Sequence, residues 1–339
     1  MPILVPHSGI HMIARISIAV ICFVMAAPAA IAQPTAWKPA RNVEIVVGVG
    51  PGGGIDRTAR IVQKILQDQR LLDVTATVLN KPGGGSTIAQ AYLNQRAGDA
   101  HVWEISATSL LTNHITGKST FGHKDFTPIA MLSDEYIGFL VRADSPLKTG
   151  RDLLNLLKTD PESLPIGIAT SAGNTNHIAA ALAAKIAGGD VKKLKVVVFG
   201  SGGESMTALL GGHVGLVTTP SANAITHLQS GKMRVLAIAS PARLEGALAP
   251  VPTWKEQRAD IVVANWRPAI GPRGWSAAQV AFWEDALAKV TRSEEWKNEV
   301  AQSGSVNHYM NSRDLSAYFD AQYVQFKGIL TELGLAKAQ

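Results

Sequence analysis

The sequence predicts an α/β protein of two lobes, each a mainly parallel sheet flanked by helices, on two observations. Segments 43–65 (VEIVVGVGPGGGIDRTARIVQKI) and 164–186 (LPIGIATSAGNTNHIAAALAAKI) share one plan: a short apolar β-rich run, a loop of small residues, then an amphipathic helix. Strand and helix signals also alternate from residue 43 onward, the rhythm of βαβ units whose parallel sheets are covered by helices on both faces.

The elements follow in order. Residues 43–49 form an apolar strand candidate and 56–69 a helix. A strand over 74–79 ends in the turn Asn80-Lys81-Pro82-Gly83-Gly84-Gly85. A helix over 87–95 and strands over 102–107 and 137–141 come next, then a helix over 150–157. The second matching unit opens with a strand at 165–169. It is followed by strands at 195–199, 214–218 and 234–239, which alternate with helices at 203–210 and 221–229. After Ala249-Pro250-Val251-Pro252 a short strand over 261–267 precedes helices at 277–291, 294–302 and 313–333. The simplest topology takes the chain out of lobe one near 139–143 and returns it near 238–243. Lobe one is then 33–140 plus 243–339, and lobe two is 141–242. Two crossings make a hinge.

The N-terminus reads as an export signal. Arg15 supplies the positive region, 16–30 is an almost unbroken apolar run, and Ala30-Ile31-Ala32 is an A-x-A cleavage site before Gln33. The run falls short of the ~20 apolar residues that span a bilayer. Residues 1–32 are therefore expected to be removed after Ala32 and the mature chain to lie in the periplasm. The one cysteine, Cys22, falls inside this segment and lacks the small residues a lipidation site wants before it. A mature chain without cysteine must rely on packing rather than disulfides.

Thirty-two Lys and Arg against 26 Asp and Glu give a net charge of +6. The charge is scattered and aromatics are few, which excludes the clustered basic face of a nucleic-acid binder. A mild positive excess suits a protein that attracts small anions.

Each small-residue loop offers backbone N–H groups at a helix N-terminus, where the macrodipole leaves about half a positive charge. Gly48-Val49-Gly50-Pro51-Gly52-Gly53 fits a G-x-G-x-x-G fingerprint, with Asp73 where a ribose-binding acid would stand. Export away from cytoplasmic dinucleotides and the wide Pro51–glycine loop count against that role. No Gly-Lys-Ser/Thr follows, which excludes a nucleoside-triphosphate loop. Asp56 falls in the first helical turn, where a carboxylate complements the dipole. Arg57 and Arg60 share a helix face that is either solvated or turned to the cleft. The histidines are dispersed without metal-ligand spacing. His177 alone sits at a helix start beside a loop, where it either donates to an anion or packs as a cap. No G-x-S-x-G elbow occurs, so no enzyme is expected, nor any cofactor or metal.

At these residues the chain resembles the Bug-type periplasmic solute-binding proteins of tripartite tricarboxylate transporters. The matching pieces are Gly50-Pro51-Gly52-Gly53-Gly54-Ile55-Asp56, Asn80-Lys81-Pro82-Gly83-Gly84-Gly85 and Ser171-Ala172-Gly173-Asn174-Thr175-Asn176-His177. Further along come Leu209-Leu210-Gly211-Gly212-His213-Val214 and Gly231-Lys232-Met233-Arg234-Val235-Leu236-Ala237. The resemblance implies a two-lobe periplasmic-binding-protein fold of type II-like form, with a carboxylated ligand between the lobes. It implies ligand contacts from Pro51, Gly52, Gly53, Gly54, Ile55 and Asp56, and from Ser171, Ala172, Gly173, Asn174, Thr175, Asn176 and His177. Ser106 and Thr108 correspond to a further small-residue stretch, and Thr219 to a ligand-facing position.

The chain departs from the family at Phe199-Gly200-Ser201, where Tyr-Lys-Gly is common, and at Thr218-Thr219-Pro220, where Phe-Asp-Asn is common. Trp266-Arg267 replaces the usual Trp-Phe. Losing the Asp removes a partner for a ligand amine and favours a purely anionic or aromatic carboxylate; Arg267 adds a cation. The implied partners are a small carboxylate and the membrane permease subunits, with the protein itself a monomer. The alternative is a periplasmic receptor that reports its ligand to a sensor.

Overall fold

The computed structural model describes residues 37–52 and 54–337. The export signal and Gly53 lie outside the described residues. Along the chain run β1 (Val43–Val47), α1 (Gly54–Asp68), β2 (Ala76–Asn80), α2 (Thr87–Asn94), β3 (Val102–Ile105), α3 (Ser109–Ile115) and β4 (Phe126–Arg142). Next come α4 (Gly150–Thr159), β5 (Ile166–Ala169), α5 (Thr175–Ala187), β6 (Val196–Phe199), α6 (Gly202–Leu210), β7 (Leu216–Pro220), α7 (Ile225–Gln229) and β8 (Met233–Ile238). The chain ends with β9 (Ala264–Pro272), α8 (Ala277–Arg292), α9 (Glu294–Gln302), β10 (Val306–Met310) and α10 (Ser312–Glu332). No described helix is long and apolar enough to cross a membrane.

One sheet path, β2-β1-β3-β9-β4-β7-β5-β6, runs through both halves, and β8 and β10 also pair with β4. The expected parallel sheets are present in two trios, β2-β1-β3 and β6-β5-β7. Apart from Glu44, the interior strands β1 and β5 of the two trios are apolar, as in sheets covered on both faces. The strands between them are antiparallel, so the whole is a mixed sheet. The antiparallel part is where the sequence patterns fell short. β4 has 17 residues, of which only the last few were expected, and β10 and α3 were not expected at all. The expected helix over 221–229 is a 3-10 turn, Ser221–Ala224, followed by α7.

β4 belongs to both halves. Phe126–Tyr136 pairs with β9, while from Ile137 onward the partners are β7 and β8. At this change the chain crosses back as well. Ile137 N–H donates to the Val263 carbonyl (3.2 Å), Val263 N–H to Ala239 (3.0 Å) and Ala239 N–H to Ile137 (2.8 Å). The residues between β8 and β9 pack on the second half. Trp254 meets Phe139 edge to face at 4.8 Å, and Ile261 and Val263 are buried in the same cluster.

Just before the crossing, β4 carries Asp134 and Glu135 on opposite faces of the sheet. Both are buried, and both have partners from distant sequence. Asp134 accepts from His308 on β10 at 2.5 Å, and Glu135 pairs with Arg267 on β9 at 2.5 Å. The hydrogen bond to Asp134 raises the His308 pKa. The Arg267–Glu135 pair abuts α1, because a Cβ at Gly54 would stand 3.3 Å from Arg267 Nη2 and 3.4 Å from Glu135 Oε1. Removing one partner leaves a buried charge uncompensated, at about 3–5 kcal/mol. Arg267→Met is therefore expected to destabilise by about that amount in urea unfolding, and Glu135→Gln added to it should recover most of the loss. A single variant as stable as the wild type would remove the pair from any structural role.

Candidate functional site

A cleft of about 970 Å³ opens along the carboxyl ends of the strands, where open α/β sheets place their ligand sites. Its walls come from both halves. One side is Val49 and Gly50, Pro82 to Gly85, and Ala107 to Ser109 with Thr112, Asn113, Lys118 and Asn265. The other is Ala169 to Ser171, Asn174 to Asn176, Gly200, Gly202, Thr219, Pro220 and Asn223. A smaller hollow of about 390 Å³ between Arg243 and Lys297 lies away from the small-residue loops.

The loop before α5 is built to present amides. Asn174 caps the helix, its Oδ1 accepting from His177 N–H at 3.1 Å, and its Nδ2 donates to the Ala169 carbonyl at 2.5 Å. Thr170 is held at φ +68°, a strained setting for a β-branched residue, by its own N–H on Phe199 O (2.8 Å) and by Asn174 Nδ2 on its hydroxyl (3.2 Å). Behind the helix start, Thr218 Oγ1 donates to the Asn176 carbonyl at 2.9 Å. Among the described residues the Thr175 and Asn176 amides have no backbone partner, as a first helical turn requires. Ser171, Asn174, Thr175 and Asn176 line the cleft; Ala172, Gly173 and His177 lie behind it.

His177 accepts rather than donates. Its buried Nδ1 takes the Gly173 N–H at 3.1 Å, and burial lowers its pKa to about 4. The imidazole is neutral at pH 7 and holds the loop's shape.

The first loop is arranged differently. Among the described residues of this loop, Val49 and Gly50 line the cleft, and Pro51, Gly52, Gly54, Ile55 and Asp56 do not. Asp56 is a clasp. Its carboxylate accepts from Gly52 N–H (2.8 Å), Asn80 Nδ2 (2.8 Å) and Arg60 Nε (2.9 Å), and Asn80 also donates to the Val49 carbonyl (3.0 Å). Burial alone would raise the Asp56 pKa, but these bonds hold it at about 2. Arg57 donates to the Gly52 carbonyl, and Arg267 is engaged with Glu135, so neither arginine adds a cation to the cleft.

Beside Val49 and Gly50 the cleft wall is formed by Pro82–Gly85, which the sequence marked as a turn but not as a ligand contact. Gly83, Gly84, Gly85 and Ser86 all have positive φ. Ser86 sits so close to Gly48 that a Cβ on Gly48 would lie 2.3 Å from the Ser86 Cβ, so only glycine fits there. Asn113 Nδ2 pins the turn through the Gly85 carbonyl at 2.8 Å. Thr108 lines the cleft and donates to Asn265 at 2.9 Å, and Thr219 lines it and accepts from Asn223 at 2.8 Å. Ser106 is buried beneath, near Glu104, whose carboxyl burial pushes up to about 8. Lys118, Asn113, Asn223 and Asn265 escaped the sequence patterns, since none belongs to a motif.

Two outcomes test this arrangement. Asp56→Ala strands the Gly52 amide and the Asn80 side chain, and is expected to cost about 1–3 kcal/mol in urea unfolding. An unchanged midpoint would mean the clasp holds nothing. His177 has a folded pKa below its unfolded value, so the unfolded chain binds more protons between pH 6.5 and about 4. Its contribution is complete above pH 6.5 and is lost as pH falls, by about 2 kcal/mol at pH 5. His177→Gln should flatten that part of the stability–pH curve, and an unaltered curve would overturn the assignment.

The chain is matched over residues 58–335 by the family "Tripartite tricarboxylate transporter family receptor". A Cupriavidus necator protein described as "UPF0065 protein in gbd 5'region" is 29% identical over 331 residues, covering 97% of this chain and 99% of that one. A TctC solute-binding protein from Polaromonas, solved without ligand, superposes with a TM-score of 0.74 at 27% identity, covering 87% of this chain and 99% of that chain. A Rhodopseudomonas palustris protein solved with adipate gives 0.75 at 21% identity, with 88% and 99% covered. The Polaromonas neighbour is a solute-binding protein, and both solved neighbours share the α/β fold of this chain. With most of its length matched, this chain belongs to the tripartite tricarboxylate transporter receptor family of periplasmic solute-binding proteins, as the Bug-type resemblance implied.

Proposed function

We propose that the protein captures an aliphatic organic carboxylate in the cleft between its lobes and delivers it to the membrane permease subunits of a tripartite tricarboxylate transporter. The observation that carries this is the lining of the cleft. It holds the open amides of the α5 N-terminus, one lysine, several asparagines and threonines, and no acidic side chain. An anion is attracted there, and an ammonium group finds no counter-charge. Among the described residues no aromatic ring lines the cleft either, which turns the expectation of an anionic or aromatic acid towards an aliphatic one. The adipate held by the Rhodopseudomonas palustris neighbour supports the same class.

Strand pairing supports lobes of 37–136 with 264–337 and of 137–263, since Ile137 pairs with β7 and Trp254 packs on Phe139. The protein acts as a monomer in the periplasm after removal of residues 1–32.

A thermal-shift screen of aliphatic dicarboxylates, tricarboxylates and aromatic acids tests the reading. At 100 times Kd a true ligand stabilises by about 2.7 kcal/mol, and aliphatic acids are expected to give the shift. Stabilisation by aromatic acids alone, or by none, would refute it.

A further inference from the structure

We propose that Lys118 is the cation this cleft sets against the ligand's carboxylate, and that it determines the preference for anionic over neutral ligands. The inference rests on the carboxylate-binding reading above and adds to it the residue that supplies the charge.

Lys118 follows α3 in the turn that leads to β4 and is the one charged side chain among the residues lining the cleft. Its Nζ reaches across to the loop before α5 and donates to the Ala172 carbonyl at 3.0 Å. That loop is docked where the lysine meets it. A Cβ on Gly173 would stand 3.2 Å from Thr116 Cγ2 and 3.3 Å from Leu330 Cδ2, so the backbone beside Ala172 lies against the end of α3 and against α10. The ammonium therefore sits at the seam between the lobes, lining the same cavity as the open amides of Thr175 and Asn176.

The charge of Lys118 has no acidic partner among the described residues. Arg60, Arg267, Lys124 and Lys185 each have one, in Asp56, Glu135, Asp320 and Glu332. Lys118 has only a neutral carbonyl, which leaves two of its three N–H groups for other acceptors. A carboxylate is the stronger acceptor, because a charge-assisted hydrogen bond is about twice as strong as one to a neutral group. An anion accepting from the α5 amides thus meets an ammonium from the opposite lobe, and the same contact ties the lobes together. A neutral ligand of equal shape has no such gain.

The test uses the full mature chain with adipate and malate as probes and adipamide as the neutral isostere of adipate. Titration calorimetry is run on wild type, Lys118→Gln and Lys118→Arg at low and high sodium chloride. The wild type is expected to bind an acid, to reject adipamide, and to weaken as salt rises. Lys118→Gln should lose about 10- to 100-fold in affinity for the acid and most of the salt dependence, and Lys118→Arg should restore both. A role limited to docking the loop would lower affinity without changing the salt dependence, and that result overturns the inference. So does an unchanged affinity in Lys118→Gln. The side chain is exposed, so equal melting temperatures of the ligand-free proteins confirm that the variants fold. If the wild type binds neither acid, the carboxylate reading fails together with this inference; if it binds and Lys118→Gln binds equally, only the inference fails.

Discussion

Three backbone hydrogen bonds, closing a ring through Ile137, Val263 and Ala239, hold the molecule together where the chain passes from one half of the sheet to the other and back. Each belongs to a different chain segment, and each segment leads to a different part of the fold. β4 arrives from the first half, β8 ends in the second, and the stretch before β9 returns to the first. A backbone ring of this kind fixes position without depending on side-chain identity. The side-chain chemistry sits two or three residues upstream of Ile137, where Asp134 and Glu135 would be costly in a strand interior without His308 and Arg267. The crossing is thus pinned on both faces of the sheet, and the cleft walls, which grow from strands on either side of it, inherit that alignment.

The parallel trios were legible in the sequence because a strand covered on both faces must be largely apolar, and 43–47, Glu44 apart, and 166–169 are. The middle of the sheet was not legible for the same reason. Residues 126–136 read FTPIAMLSDEY, with a proline and two acids, and nothing local announces that Arg267 and His308 will neutralise those acids from well over a hundred positions away. β10, a half-exposed VNHYM, has no pattern of its own and exists as a strand because β4 offers it an edge.

The site shows the same division. The loop at 171–176 was legible down to its cap, since Asn174 preceding an apolar helix is a local signal with a local mechanism. The glycine loop at 50–56 was equally conspicuous, but of its described residues Gly50 lines the cleft while Asp56 shapes the chain. Lys118, in the unremarkable string TGKST, became visible only when the fold brought it against Ala172. Local sequence encodes how a loop is bent; which loop meets the ligand depends on what packs behind it.

β4 also has a bearing on the order of events during folding. Its partners β7, β8, β9 and β10 all lie C-terminal to it, as far as Met310. Residues 126–142 cannot complete their hydrogen bonding until most of the chain is present, so the strand joining the lobes is among the last to be satisfied. Contacts of such sequence separation must meet their loop-closure entropy before they return any stability. Each parallel trio can gather around its own βα units early, but the relative placement of the two is settled late and slowly. Until then Phe126–Arg142 is an exposed edge of mostly apolar residues, and Pro128, Asp134 and Glu135, the residues that spoil it as a predicted strand, also make it a poor template for pairing with another chain.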